Sequence, residues 1–320
     1  MKPREILLIG GTGFVGRHVA HLLSSRGMRV TVPTRRRARA GHLLLLPTVD
    51  VVEADVHDTP TLAGLVRGKD AVINLVGVLH SRPGSPYGPD FARAHVELPG
   101  KIVTACHMSS VRRLIHLSAL KAAKDAPSEY LRSKADGETA VRRLNGEWTI
   151  LQPSVIFGEG DSFLNLFAGL LKAFPVLPLA GANARFQPVF VEDVAGIIAD
   201  ALDDEASFKQ TFEVCGPRVY TLRRLVEYVG ELTGHQRAII NLPPALAYLQ
   251  AAVLERLPGP LMSRDNLASM RVDNVSFGMP QPRIHGVERQ PTALESIAPT
   301  YLAQATPRSR FGSFRAHARR

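Results

Sequence analysis

The sequence predicts an α/β fold organised on a doubly wound parallel sheet. Three observations predict it. Short aliphatic or β-branched runs alternate with helical patterns across the first 155 residues, as expected of a parallel sheet covered by helices on both faces. A glycine-rich turn joins the first run to the first helix. Hydrophobic residues make up 45% and charged residues 21% of the 320-residue chain, which excludes wholesale disorder and permits a large core.

Glu5 to Ile9 is a buried-strand pattern bounded by Gly10-Gly11. Phe14 to Arg26 reads as a helix, with Val15, Val19, Leu22 and Leu23 on one stripe and Gly27 closing it. Arg29 to Thr34 and Val49 to Ala54 are the second and third strands. The next helix begins near Thr59-Pro60, with Thr59 as N-cap and Pro60 as the first helical residue. Asp70 to Val76 is the fourth strand. A helix over Gly88 to Met108 is expected to be interrupted near Pro99. Arg112 to Ser118 is the fifth strand, Ser128 to Leu144 a helix, and Glu147 to Gln152 a sixth strand ended by Pro153. Right-handed crossovers make this alternation doubly wound.

Beyond Pro153 the alternation loosens. Ser162 to Phe174 reads as helix, Phe186 to Val191 as strand, Glu192 to Leu202 as helix, Phe208 to Cys215 as strand and Leu222 to Thr233 as helix. Pro243 to Leu257 is a mostly apolar helix. Pro258 to Pro291 reads as extended loop with a short helix near Asp265 to Met270. The chain therefore divides into a sheet domain over 1–155, a smaller region over 156–305 with segments returning to the sheet, and a basic disordered tail over 306–320.

The formal net charge is +10. Arg35, Arg36, Arg37 and Arg39, with five arginines in 307–320, supply most of it. Two clusters do not make the spread-out basic surface of a nucleic-acid binder, so nucleic acid is not an expected partner. Two cysteines without CxxC spacing exclude a disulfide framework and point to a reducing, cytoplasmic compartment. No apolar run reaches the ~18 residues of a membrane span. The apolar helix reads first as packing of the smaller lobe and the tail as a solvated segment; the alternative for either is contact with a partner or, peripherally, with the inner face of a membrane. His18 and His21 read as a surface pair, and no metal site is expected.

Strand, then Gly10-Gly11-Thr12-Gly13-Phe14-Val15-Gly16, then helix, satisfies both GxGxxG and GxxGxxG spacing. Glycine is needed where backbone turns sharply, approaches a pyrophosphate and packs helix on strand. Gly10, Thr12, Gly13, Phe14, Val15 and Gly16 are the expected dinucleotide contacts. NAD-preferring sites usually carry an acid at the end of the second strand. Here Thr34-Arg35-Arg36-Arg37 stands there, and no acid occurs between Glu5 and Asp50. Guanidinium in place of carboxylate suits a 2′-phosphate. The expected cofactor is NADP(H), with NAD(H) second, and Arg35 and Arg36 as contacts. Asp55 and Val56 follow the third strand, within reach of an adenine. Leu75, Val76 and Gly77 follow the fourth, where backbone approaches the cofactor. Pro153 and Val155 complete the set beyond the sixth strand.

Tyr130-Leu131-Arg132-Ser133-Lys134 puts a phenol and an ammonium one helical turn apart. Such an ammonium favours phenolate, so Tyr130 is the candidate acid/base for a hydroxyl or carbonyl. Lys134 is its partner and a candidate ribose ligand.

With these motifs, the chain resembles an extended or atypical short-chain dehydrogenase/reductase of the NAD-dependent epimerase/dehydratase type. More narrowly, it resembles the branch related to the alpha-subcomplex subunit 9 of respiratory complex I. Further matching segments are Leu114 to Leu120, Gln152 to Gly158, Gln187 to Ala195 and Phe212 to Pro217. The resemblance covers residues 4 to 240 and implies a seven-stranded Rossmann sheet with a smaller C-terminal substrate-side lobe. It adds Ser118 as a third catalytic candidate, holding the substrate oxygen. Two positions depart from the family pattern. Ser118 lies only twelve residues before Tyr130, so Leu120 falls nearer the usual serine position; His95 stands where the family has a relay asparagine.

Two functions follow as expectations. One is an NADP(H)-binding oxidoreductase with slow hydride transfer on a small or lipid- or quinone-like carbonyl or alcohol. The other is a non-catalytic NADPH-binding accessory or assembly factor, with a respiratory complex or quinone pathway as partner. The retained Tyr130–Lys134 pair favours the first, and the departures at His95 and Leu120 favour the second.

Overall fold

The computed structural model describes residues 4–257, 261–276, 283–284 and 286–303. In chain order the elements are β1 (Glu5–Ile9), α1 (Phe14–Ser25), β2 (Arg29–Thr34), β3 (Val49–Glu53), α2 (Thr59–Val66), β4 (Ala71–Asn74), α3 (Pro89–Phe91), a π-helical segment (Ala92–Glu97), α4 (Leu98–Met108), β5 (Arg113–Leu117), α5 (Glu129–Val141) and β6 (Glu147–Pro153). Then come β7 (Ile156–Phe157), α6 (Phe163–Ala173), β8 (Val176–Leu179), β9 (Arg185–Phe186), β10 (Val189–Phe190), α7 (Val191–Ala201), β11 (Gln210–Val214), β12 (Tyr220–Thr221), α8 (Leu222–Thr233), β13 (Ala238–Asn241), α9 (Pro244–Leu254), α10 (Arg264–Ser269), a hairpin of β14 (Arg283–Ile284) and β15 (Val287–Glu288), and α11 (Leu294–Leu302). They form two compact units. The first holds Met1–Pro153, Val191–Val214 and Ser276–Arg289; the second holds Ser154–Phe190, Cys215–Val275 and the chain from Gln290.

In the first unit seven strands lie in the order β11-β6-β5-β4-β1-β2-β3. Every pairing is parallel. Parallel strands are buried on both faces and need not alternate in polarity, which is why Ile6, Leu7, Leu8 and Ile9 are all apolar and buried. Leu7 and Ile9 pack with Leu62, Val66, Leu98 and Ile102 from α2 and α4 in one core. Side chains alternate along a strand, so Ile6 and Leu8 point to the other face. Each such fully buried aliphatic contributes roughly 1.5–3 kcal/mol. Residues 210–214 return from beyond the break at Pro153 to pair with β6, with Gln210 opposite Thr149. The strand order reverses between β1 and β4, where doubly wound sheets form their ligand crevice.

The second unit packs α6, α8 and α11 around Phe157, Leu164, Leu171, Leu177, Leu225 and Ala298. Its β8 and β13 pair in parallel, with Ala238 opposite Val176.

Several boundaries differ from the sequence reading. The N-cap of α2 is Asp58, whose carboxylate accepts the Thr61 N–H, rather than Thr59. A carboxylate is the stronger acceptor, and Thr59 is already helical. The chain from Pro89 to Met108 does not break at Pro99; the helix widens into a π segment just before it. Pro99 has no N–H for the His95 carbonyl four residues back, and a wider turn absorbs the loss. The expected strand at Phe186 to Val191 is two short strands separated by Gln187-Pro188. The region read as loop up to Pro291 contains the β14–β15 pair. The basic tail lies outside the described residues.

Candidate nucleotide and acid/base site

The glycine loop leaves β1 at the strand-order reversal. Gly10 has φ +86°, a left-handed conformation suited to glycine, and its carbonyl accepts the Gly13 N–H at 3.0 Å. A Cβ on Gly16 would sit 2.2 Å from the Gly10 carbonyl oxygen and 2.6 Å from Gly11 Cα. Only glycine allows this closeness of helix to loop. Gly13 takes the N-cap position of α1 and no side chain caps the helix. The first-turn N–H groups of Phe14, Val15 and Gly16 are thus left for an anion, beside a partly exposed Thr12.

Across the crevice, Asn74 ends β4. Its Oδ1 accepts the Val76 N–H at 3.2 Å, and its Nδ2 donates to His116 Nδ1 at 3.1 Å. The bond shapes the loop that carries Leu75, Val76 and Gly77. A Cβ on Gly10 would lie 3.1 Å from the Leu75 carbonyl carbon, so the two loops meet at van der Waals distance.

The ends of β2 and β3 form a cationic corner. Arg35 and Arg36 are exposed and, among the described residues, neither has a carboxylate partner. Thr34 Oγ1 accepts the Arg36 N–H at 3.4 Å and holds the turn. Asp55 accepts the His57 N–H at 3.0 Å and lies 3.6 Å from Arg93. The His57 imidazole is held below its ordinary pKa by partial burial, and further by Arg93, Lys101 and Arg35, against the pull of Asp55.

Tyr130 and Lys134 stand on the first turns of α5, which Ser128 caps by accepting the Leu131 N–H at 3.2 Å. Lys134 is buried, and burial pushes its ammonium down to about 8, with Glu138 pulling the other way. Its Nζ donates to the Leu117 carbonyl at 3.2 Å. It rests against Gly77, where a Cβ would lie 3.3 Å from Nζ. The ammonium sits 6.0 Å from the centre of the Tyr130 ring. Of the remaining candidates, Pro153 closes β6 and its carbonyl accepts the Leu120 N–H at 2.9 Å. Val155 belongs to the second unit, where its N–H is taken by Asn274 Oδ1 at 3.0 Å.

A family model described as NAD(P)H-binding matches residues 10–168. The chain is 34% identical over 299 residues to the mitochondrial NADH dehydrogenase [ubiquinone] 1 alpha subcomplex subunit 9 of Mus musculus, covering 90% of this chain and 77% of that one. The chain belongs to the family of the complex I alpha-subcomplex subunit 9 proteins. A ceramide reductase of Caulobacter vibrioides is 32% identical over 194 residues, covering 59% of this chain and 58% of that one. The fold is also that of a Streptomyces venezuelae dTDP-glucose 4,6-dehydratase double mutant solved with NAD bound. The TM-score is 0.65 at 20% identity, over 83% of this chain and 95% of that one. No helix among the described residues is long and apolar enough to cross a membrane.

Measured against the reductase pattern, two positions are differently employed. Ser118 Oγ lies 2.6 Å from Glu138 Oε1, buried beneath α5. A carboxylate only accepts, so Ser118 spends its single proton there. Glu138 also accepts from Gln152 at 2.7 Å and Arg142 at 2.9 Å. In this structure the Ser118 proton is therefore engaged by Glu138, and the expected role of Ser118 in holding a substrate oxygen requires that proton to change partner.

His95 lies in the π segment with 1% exposure. Its Nε2 accepts the Val78 N–H at 3.0 Å and its Nδ1 meets Ser133 Oγ at 2.8 Å. The backbone donor fixes the tautomer, so Nδ1 carries the proton. Ser133 in turn donates to the Tyr130 carbonyl at 2.8 Å. The ring also packs edge-on against Tyr130, with centroids 5.5 Å apart. A Cβ on Gly137 would sit 2.1 Å from the His95 carbonyl oxygen, so α5 meets the π segment only through glycine. Sequence reasoning singled out His95 as a substitution but not as a link between the Gly77 loop and the Tyr–Lys helix. Pro99, four residues downstream, was the available signal.

Proposed function

We propose that this protein binds NADP(H) and carries out slow hydride transfer to a lipid- or quinone-like carbonyl. Lys134 carries the reading: a buried ammonium with one hydrogen bond among the described residues, one turn from Tyr130. A buried cation with unused donors requires an acceptor, and ribose hydroxyls are the acceptors this loop arrangement suits. The glycine cradle at Gly10 and Gly16 fits a pyrophosphate, and Arg35 and Arg36, which have no carboxylate partner among the described residues, fit a 2′-phosphate. Bound there, the cofactor supplies the hydride. Tyr130 gives a proton to the substrate oxygen, and Lys134 stabilises the charge the phenol acquires.

The commitments of Ser118 and His95 favour a second reading, in which NADPH is held without turnover. The protein then serves as an accessory or assembly factor of a respiratory complex, as its relatives' names suggest.

A screen of NADPH oxidation against quinones and long-chain ketones separates the two. A rate that Tyr130→Phe abolishes supports chemistry. NADPH-induced thermal stabilisation without a rate in either protein supports the accessory role and sinks the first reading.

A further inference from the structure

The second unit carries an apolar face that neither reading uses. α9 has no charged residue from Pro244 to Leu254. A helix of that composition is ordinarily buried all round. Here only Ala247 and Ala251 are buried, while Leu246, Leu249, Val253 and, one turn further, Leu257 stand 48–59% exposed along one stripe. The face extends beyond the helix. Gln250 Nε2 donates to the Pro178 carbonyl at 3.0 Å, fixing α9 beside β8, whose Val176 is exposed. Ile240, opposite Pro178 in the β8–β13 pair, is 54% exposed. Exposed apolar side chains gathered on neighbouring elements of one folded unit mark an interaction site.

The charges beside it select the occupant. No acid occurs between Asp161 and Glu192, nor between Glu231 and Glu255. The first acid after α9, Glu255, is taken up by Arg264, through Nε at 2.7 Å and the backbone N–H at 3.1 Å. Arg256 after α9 and Arg237 before β13 are exposed, as is Lys172 of the neighbouring α6; Glu227 and Glu231 of α8, beside Arg237, are each held by an arginine, Arg223 and Arg224. An isologous contact between two copies would set this cationic rim against itself. We infer that α9 and the β8–β13 edge form a docking face for an anionic lipid surface, the helix lying in the interface plane with its leucines among the acyl chains. This rests on the second unit alone and is independent of any turnover at Tyr130.

The test is co-sedimentation of the full chain with extruded vesicles of phosphatidylcholine alone or mixed with phosphatidylglycerol. The full chain is expected to sediment with the anionic vesicles and largely stay behind with neutral ones. Leu249→Glu with Val253→Glu should cut the bound fraction by about tenfold or more, through lost apolar burial and added repulsion. The thermal midpoint and NADPH-induced stabilisation should be unchanged, since both side chains are exposed. Deleting residues 307–320 should leave measurable binding. Three results overturn the inference: no binding of the intact chain, binding untouched by the double substitution, or binding abolished by tail deletion alone. A concentration-dependent dimer dissolved by Leu249→Glu, without vesicle binding, would assign the face to a second copy instead.

Discussion

His95 Nδ1 and Ser133 Oγ are 2.8 Å apart, and that bond ties the π segment to the turn of α5 between Tyr130 and Lys134. With the Val78 N–H on the other nitrogen, the imidazole bridges the loop after β4 to the helix that carries the acid/base pair. Losing the ring leaves the part-buried Val78 N–H unpaired, at about 1–3 kcal/mol, and removes the donor to Ser133 Oγ, which keeps its bond to the Tyr130 carbonyl. His95→Ala should therefore lower the unfolding midpoint and weaken NADPH several-fold. Calorimetric melting and nucleotide titration measure the two effects; unchanged NADPH affinity would show the bridge to be irrelevant to the site.

The same burial makes the protein acid-sensitive. Burial holds His95 down to about 2 and His116 down to about 3, with Lys134 adding to both. In the unfolded chain both titrate near 6.5. The unfolded state thus binds more protons below that value. Stability is full above pH 6.5 and falls as pH drops, by about 1.4 kcal/mol per unit for each ring. Denaturant titrations between pH 7 and 5 should show this slope, and His95→Asn should remove about half of it. An equal slope in the variant would contradict the assignment.

Lys134 acts in the opposite range. Its folded pKa of about 8 lies below the unfolded value, and burial is the main cause. Between about pH 8 and 10.5 the unfolded chain holds the extra proton, so stability should rise with pH by an amount on the order of 3 kcal/mol. Comparison with Lys134→Met isolates this from the other titrating groups. NADPH affinity should fall over the same interval, because the ammonium loses its charge. A variant with the same alkaline profile would count against a buried cation at this position.

Ser118→Ala should distinguish a structural hydroxyl from a catalytic one. Removing the donor to Glu138 should cost about 1.5–3 kcal/mol, as for a hydrogen bond to a charged group. Any NADPH-dependent rate should remain within a few-fold. A loss comparable with that of Tyr130→Phe would restore Ser118 to the acid/base machinery.

Cofactor choice is tested at the cationic corner. Arg35→Ala with Arg36→Ala should weaken NADPH by about ten- to a hundredfold, the range of one or two charge-assisted hydrogen bonds. NADH should change little. Equal weakening of both nucleotides would refute the 2′-phosphate contact.

The seven-stranded parallel sheet was legible because its first six strands are local apolar runs separated by helical periodicity. The glycine loop was legible because backbone closeness leaves no residue but glycine at position 16. The Tyr130–Lys134 pair needs only helical spacing. What depends on distant partners was not legible in the same way. β8 and β13 are four-residue strands some 60 positions apart in sequence, paired in parallel, and no local pattern reports that pairing. The apolar composition of α9 is visible in the sequence, yet its exposure is not, because exposure depends on what packs against it.

The sequence by itself determined the fold class, the nucleotide loop, the arginines beside it and the spacing of the phenol and ammonium, since each is a short-range property of the chain. Only the tertiary structure decided how those side chains are used. Ser118 meets Glu138 because β5 and α5 pack together, and in this structure its proton is given there. His95 becomes a neutral bridge because burial forbids its charge and Val78 and Ser133 occupy both nitrogens. A hydroxyl or imidazole has few hydrogen-bonding positions, and the neighbours brought by folding determine which remain for chemistry.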